Sequence, residues 1–463
     1  MTVAAACIVS STAWAGAGEM EPAGTMSGKA VVQSLRELGL TAAGDKGYLQ
    51  TLRYREQVLL PERSSLVLAA GGTEARLALG SEAALDMSVQ QPARLDAGLV
   101  FIGYGLPSVM GSRDDFSGRD LRGKVAVYVD ATPLFLSADQ ARSARALAQA
   151  AAERAGALGL IAVDVSEERW AARRQAWNGE GRYLAESALQ PTRAPQLVAA
   201  VAPAAAARLF SAAGHDLGLI LAAARAGRPL PAFTRDVVVR ATTHTRTRTG
   251  SADAVVAMLP GADAYLGRNS VVLSANASDA QALLRLARDA KAAGASRRSI
   301  VFALLPAELR GDLAARALVE RLGASRDSVV AALHLEGCTD GGVAVASAGE
   351  SSLGETARTL AANLGLNLRA ADGSDAAAGF AAGGTPALGL QASGAESYLA
   401  ALAREIADGA QRPSWRPDSP FAPPAPRAQE NLVAPLEMPV GKRPQKILPS
   451  YGALRPASLP SAA

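Results

Sequence analysis

Residues 299–305 read Ser299-Ile300-Val301-Phe302-Ala303-Leu304-Leu305. Seven residues without a charge, rich in branched and aromatic side chains, predict a strand covered on both faces. The neighbouring stretches keep the same pattern. Residues 254–259 and 270–275 are apolar runs of strand length, and 278–292 has the apolar spacing of a helix. Beyond the opening run, helices are predicted over 311–322, 353–364 and 395–409, with strands over 329–335 and 385–391 between them. Such alternation builds an α/β fold: a mostly parallel, twisted sheet flanked by helices. Ligands of such sheets bind at the carboxyl ends of the strands, which is where chemistry is to be sought.

Upstream of residue 254 the pattern changes. Residues 28–40 read as a helix, with Val31, Val32, Leu35 and Leu38 at helical spacing and Gly39 closing it. Residues 48–100 are short alternating runs broken by Gly-Gly and Pro. A distinct small α/β module is expected over 95–231. It opens with the strand Leu99-Val100-Phe101-Ile102 and continues with a strand over 124–129, an Ala/Arg-rich helix over 138–156 and a strand over 158–163. Its scarcity of polar functional groups suits a lid rather than a catalytic core. The chain thus divides into a leader (1–15), the first part of the main domain (16–94), the inserted module (95–231), the rest of the main domain (232–412) and a tail (413–463). The tail is rich in Pro, Ala and Ser, lacks periodicity, and is expected to be disordered.

Composition narrows the function. A chain of 463 residues is too long for one ordinary core, and 49% hydrophobic against 19% charged residues gives enough apolar mass for two. The net charge of +4 is small for this length, and no Lys/Arg block or basic-aromatic stripe occurs, which argues against nucleic acid. No apolar run reaches bilayer length. Residues 1–15 are small and apolar and end in Ala13-Trp14-Ala15, the A-x-A pattern of a secretory signal, so a periplasmic or secreted location is expected. With Cys7 in that leader, Cys338 stands alone. This excludes a disulfide framework and a structural Cys/His zinc site.

Several strings then resemble one family. Leu99-Val100-Phe101-Ile102-Gly103-Tyr104-Gly105, then Asp114-Asp115-Phe116, then Gly118-Arg119-Asp120-Leu121-Arg122-Gly123-Lys124-Val125 resembles the opening of a protease-associated domain. Such a domain is inserted in di-zinc aminopeptidases of metallopeptidase family 28. Leu38-Gly39-Leu40 with Gly47-Tyr48-Leu49-Gln50 is similar to that family's N-terminal segment. Ala254-Val255-Val256-Ala257-Met258-Leu259-Pro260-Gly261 is similar to its entry into the catalytic sheet, and Arg297-Arg298-Ser299-Ile300-Val301-Phe302 to its central strand. Ser351-Ser352-Leu353-Gly354 and the stretch from Ala407-Asp408 to Arg412-Pro413 also fit. The resemblance spans residues 20–420, and it is the order of the strings that makes it specific.

The resemblance implies two zinc ions held by His and carboxylate ligands around a bridging carboxylate, with a separate Glu as general base. This chain departs from that set. Ser274-Ala275 matches the strand that precedes the first ligand His, but Asn276-Ala277-Ser278 follows at once, so the loop carrying that His and the bridging Asp is missing. In Pro306-Ala307-Glu308-Leu309 the base is matched by Glu308, and Leu309 replaces a ligand Glu. In Leu333-His334-Leu335-Glu336 a ligand Asp is replaced by Glu336. Ser374-Asp375 is followed by Ala376 where a ligand His is expected. His334 and Glu336, two apart on a strand, share a face and with Glu308 are the remnant of a metal site. Each also has a plainer reading: Glu308 as a helix N-terminal carboxylate, His334 as a hydrogen-bonded core residue. The set is short of the three or four ligands, His or Cys among them, that zinc takes. The expectation is therefore a catalytically degenerate member without a cofactor that binds a peptide or protein ligand. The alternatives are an active zinc aminopeptidase with a reduced site, and an interaction protein acting through its Pro-rich tail.

Overall fold

The computed structural model describes residues 26–422, leaving out 71, 108–113, 135, 137, 191, 213, 323–328, 338–342, 348, 372, 393–395, 418 and 420. The expected leader, Cys7, Cys338 and residues 423–463 lie outside the described residues.

The apolar run 299–305 forms the strand Ser299–Leu305, and all seven of its residues are buried. Its side chains alternate between two cores. Ile300, Phe302 and Leu304 join one apolar cluster, and Val301, Ala303 and Leu305 the other. The first cluster is roofed by the helices Gly28–Glu37, Ala280–Ala292, Leu353–Asn363 and Glu396–Asp408. The second is covered by Gly311–Leu322 and Asp375–Ala382. Helices on both faces explain why the central strands have no polar side to their pattern.

Across this sheet the strands run in the order Leu368–Ala370, Val343–Ala346, Ala387–Ala392, Val329–Leu335, Ser270–Asn276, Ser299–Leu305, Thr245–Leu259, Leu49–Leu59 and Glu180–Leu184, with Thr41–Ala42 paired to Thr245–Leu259. Ala387–Ala392, Val329–Leu335, Ser270–Asn276 and Ser299–Leu305 are mutually parallel. The wing from Thr245–Leu259 to Glu180–Leu184 is antiparallel, as is the pairing of Val343–Ala346 with Ala387–Ala392. The parallel character is thus that of the centre, where helical crossovers join the strands.

The helices Gly311–Leu322 and Asp375–Ala382 approach closely. A Cβ on Gly379 would lie 2.2 Å from the Asp312 carbonyl oxygen, and one on Gly383 2.5 Å from Val319 Cγ1. A side chain at either position would force its neighbours to shift.

A second sheet of eight strands runs Thr73–Leu77, Ser65–Ala70, Phe233–Thr242, Arg94–Gly103, Val125–Asp130, Gly159–Asp164, Leu197–Val201 and Ala83–Leu85. Four of these strands come from residues 65–85 and 233–242, outside the stretch 95–231 that the sequence marks off. Conversely, Glu180–Leu184 lies inside that stretch but pairs with the first sheet. The Ala/Arg-rich helix expected over 138–156 is two helices, Ala138–Ala146 and Ala148–Arg154. The break falls at Leu147, whose N–H turns back to the Ala144 carbonyl. Asp130 and Asp164 stand side by side at the carboxyl ends of their strands, and both are held by Arg173 from the helix Glu167–Ala176.

The chain stays on the fold past Pro413. Trp415 bridges to Ser351, the Ser352 N–H donates to the Ser414 carbonyl, and the Arg416 N–H donates to the Glu350 carbonyl. Trp415 stacks obliquely on Phe421. Upstream, Arg298 is fully buried and donates to the carbonyls of Ile406 and Gly409, satisfying the open end of the last helix.

Candidate functional site

The parallel register lines up Ala303, Ser274, His334 and Gly389 across neighbouring strands, near their carboxyl ends. His334 is fully buried, and its Nδ1 lies 2.9 Å from Ser274 Oγ. Its Nε2 has no hydrogen-bond partner and lies 3.9 Å from Glu336 Oε1. Burial holds the imidazole neutral, with its pKa pushed down to about 3.

Glu336 follows on the same strand end. Its carboxylate accepts a 2.5 Å hydrogen bond from Ser374 Oγ. Ser374 is also the N-cap of Asp375–Ala382, accepting from the Ala377 N–H at 3.1 Å. A glycine at 389 makes this approach possible, because a Cβ there would lie 2.1 Å from Ser374 Cβ. A polar run Ser274, His334, Glu336, Ser374 therefore crosses the strand ends and finishes at a helix N-terminus, which favours the carboxylate charge.

Glu308 lies elsewhere. Its loop, 306–310, helps to line a cleft of about 400 Å³ with Glu56, Asp86, Ser88, Trp177, Glu180 and Arg182. Glu308 is exposed there. The structure therefore brings His334 and Glu336 together and leaves Glu308 apart from them. Among the described residues no three His, Cys, Asp or Glu side chains gather as a metal-binding group. Two positions at which the family resemblance expects a metal donor hold apolar side chains. Leu309 and Ala376, at the two positions where the family resemblance expects a ligand Glu and a ligand His, are 5% and 1% exposed. Both belong to one apolar cluster with Leu305, Ala314 and Phe380.

The cleft contains residues to which the sequence assigned no role. Glu56 accepts from Arg182 on one neighbouring strand and from Arg248 on the other. Partial burial works against its charge, but hydrogen bonds from Arg248 and Arg182 outweigh that and hold its pKa below the usual carboxylate value. The sequence signal was the Arg/Thr alternation 245–249 opposite Arg53-Tyr54-Arg55-Glu56, and only the strand register shows who faces whom.

No family model and no curated protein sequence matches the chain. Among solved structures it is similar to an aminopeptidase from Aneurinibacillus sp. strain AM-1, at 15% identity over 83% of this chain and 88% of that one, with a TM-score of 0.40. It is similar to BSAP, a zinc aminopeptidase from Bacillus subtilis, at 16% identity over 78% and 77%, with a TM-score of 0.34. It is also similar to a peptidase M28 precursor from Shewanella amazonensis SB2B, at 16% identity over 87% and 91%, with a TM-score of 0.36. Likenesses at these values assign no residue role to this chain.

Proposed function

We propose that this protein is an exported, catalytically degenerate relative of the di-zinc aminopeptidases of metallopeptidase family 28, and that it acts by binding a peptide or protein segment. The ordered sequence motifs support the relationship. One observation carries the loss of chemistry: Leu309 and Ala376 are packed into a single apolar cluster. A buried apolar side chain cannot supply a donor to a metal. The 306–310 loop with its cleft remains open to a ligand, and Glu308, Trp177 and Arg182 offer it charged and aromatic contacts. Export rests on the leader sequence alone.

A second reading has its own observation. The unpartnered Nε2 of His334 and the Glu336 carboxylate 3.9 Å away are two of the three or more donors that a zinc ion takes. Metal analysis of the purified protein, with a panel of aminoacyl p-nitroanilides, separates the two readings. The expected result is substoichiometric zinc and no turnover. Stoichiometric zinc with turnover lost in His334→Ala and Glu308→Gln would overturn the binding-protein reading.

A further inference from the structure

We infer that Arg182 is the positioning residue of the cleft, and that the second module is fixed to the Glu308 loop as a wall rather than hinged over it as a lid. The strand Glu180–Leu184 leaves the second module to become the edge of the first sheet, antiparallel to Leu49–Leu59. Its register sets Arg182 opposite Glu56, which itself stands opposite Arg248. Arg182 uses all three of its nitrogens. Nε and Nη2 donate to Glu56 Oε1 at 3.3 and 3.1 Å, and Nη1 donates to the backbone carbonyl of Glu308. The guanidinium plane also lies over the Tyr54 ring, 5.3 Å from its centroid.

A guanidinium is a rigid fork, so fixing two arms on a carboxylate aims the third. Here the third arm holds the backbone of the very residue whose carboxylate lines the cleft. The Leu309 side chain anchors the middle of the 306–310 loop in the core, but its internal backbone bond is a long one, from the Leu309 N–H to the Pro306 carbonyl at 3.4 Å. A second arginine crosses the same boundary in the opposite direction. Arg310, on the loop, donates to Ser88 Oγ at 3.4 Å while its fork grips Asp312. Ser88 belongs to the segment after Ala83–Leu85, an edge strand of the second sheet. Two arginines therefore hold the loop, one at the Glu308 carbonyl and one at Arg310, two residues further on. Tyr54, Glu56 and Arg248 hold the first latch in place.

This inference deepens the peptide-binding reading, yet its principal test needs no ligand. Hydrogen exchange is followed by mass spectrometry on the full chain for wild type, Arg182→Met, Arg182→Lys and Arg310→Met. The amides of 306–312 are expected to exchange about tenfold faster in Arg182→Met, because the loop opens locally without global unfolding. Those of 329–335 should not change, nor should the urea midpoint fall enough to account for the difference. Arg182→Lys, which can still reach one acceptor, should recover part of the protection. Arg310→Met should loosen the same amides while leaving 180–184 protected. Unchanged exchange at 306–312 in a folded Arg182→Met protein overturns the inference. If Arg182→Met does not fold, Arg310→Met decides: loss of protection confined to 306–312 supports the latch, and no change overturns it. Failure of an arrayed heptapeptide library to bind wild type would count against the peptide-binding reading and leave the exchange result standing.

Discussion

His334 is a neutral imidazole sealed among apolar strands, and its protonated form is strongly disfavoured in the folded protein. Unfolded histidine takes up its proton near pH 6.5 and folded His334 only near pH 3, so between these values the unfolded state binds the extra proton. Stability from this residue is complete above pH 6.5 and falls as the pH drops towards 3. Urea midpoints between pH 7 and pH 4.5 should therefore drop more steeply in wild type than in His334→Gln, and equal slopes would refute the assignment. Ser374 supports two acceptor–donor pairs at once, the Glu336 carboxylate and the Ala377 N–H. Ser374→Ala should cost about 2–5 kcal/mol, the sum of a lost cap and a charged hydrogen bond. A loss below a few tenths would show that solvent replaces both. The family resemblance placed Glu336 and the Ser374-Asp375 stretch at one site, but the sequence did not show that the Ser374 hydroxyl itself meets the carboxylate. That contact depends on the absence of a side chain at 389, on a strand far along the chain.

At the scale of elements, the parallel centre was readable because strands buried on both faces are written as unbroken apolar runs. Val329–Leu335 and Ser299–Leu305 have no exposed residue. The helix Asp375–Ala382 was not readable. It is eight residues of Asp, Ala, Gly and Phe with a weak helical stripe, and it forms because Gly379 lets it lie directly on Gly311–Leu322. Gly379→Ala places a methyl against the Asp312 carbonyl and should cost about 1–3 kcal/mol in denaturant unfolding. If it instead stabilises, as an alanine in an unhindered helix should, the close packing is wrong. Glu180–Leu184 was missed for a different reason. A short strand inside one module gives no local sign that its partner lies more than a hundred residues earlier, and the cleft residues Arg182 and Glu56 were hidden with it.

For the molecule as a whole, the two sheets share the segments that pass between them. Leu49–Leu59 is followed directly by strands of the second sheet, and Phe233–Thr242 leads straight into Thr245–Leu259. Residues 26–422 fall in a single compact unit. One cooperative thermal transition is expected, and two resolved transitions in calorimetry would contradict it. If the apolar packing at Leu309 and Ala376 has displaced metal chemistry, EDTA should leave that transition in place. A substantial fall in Tm on chelation would reveal a bound ion that supports the fold. The placement of Glu180–Leu184 also governs how the gene can be cut. A shortened protein that keeps the first sheet but omits residues 65–242 would strip Leu49–Leu59 of its outer neighbour. Its unpaired amide and carbonyl groups would then invite another copy to dock, so such a truncation should appear as a self-associating species on gel filtration.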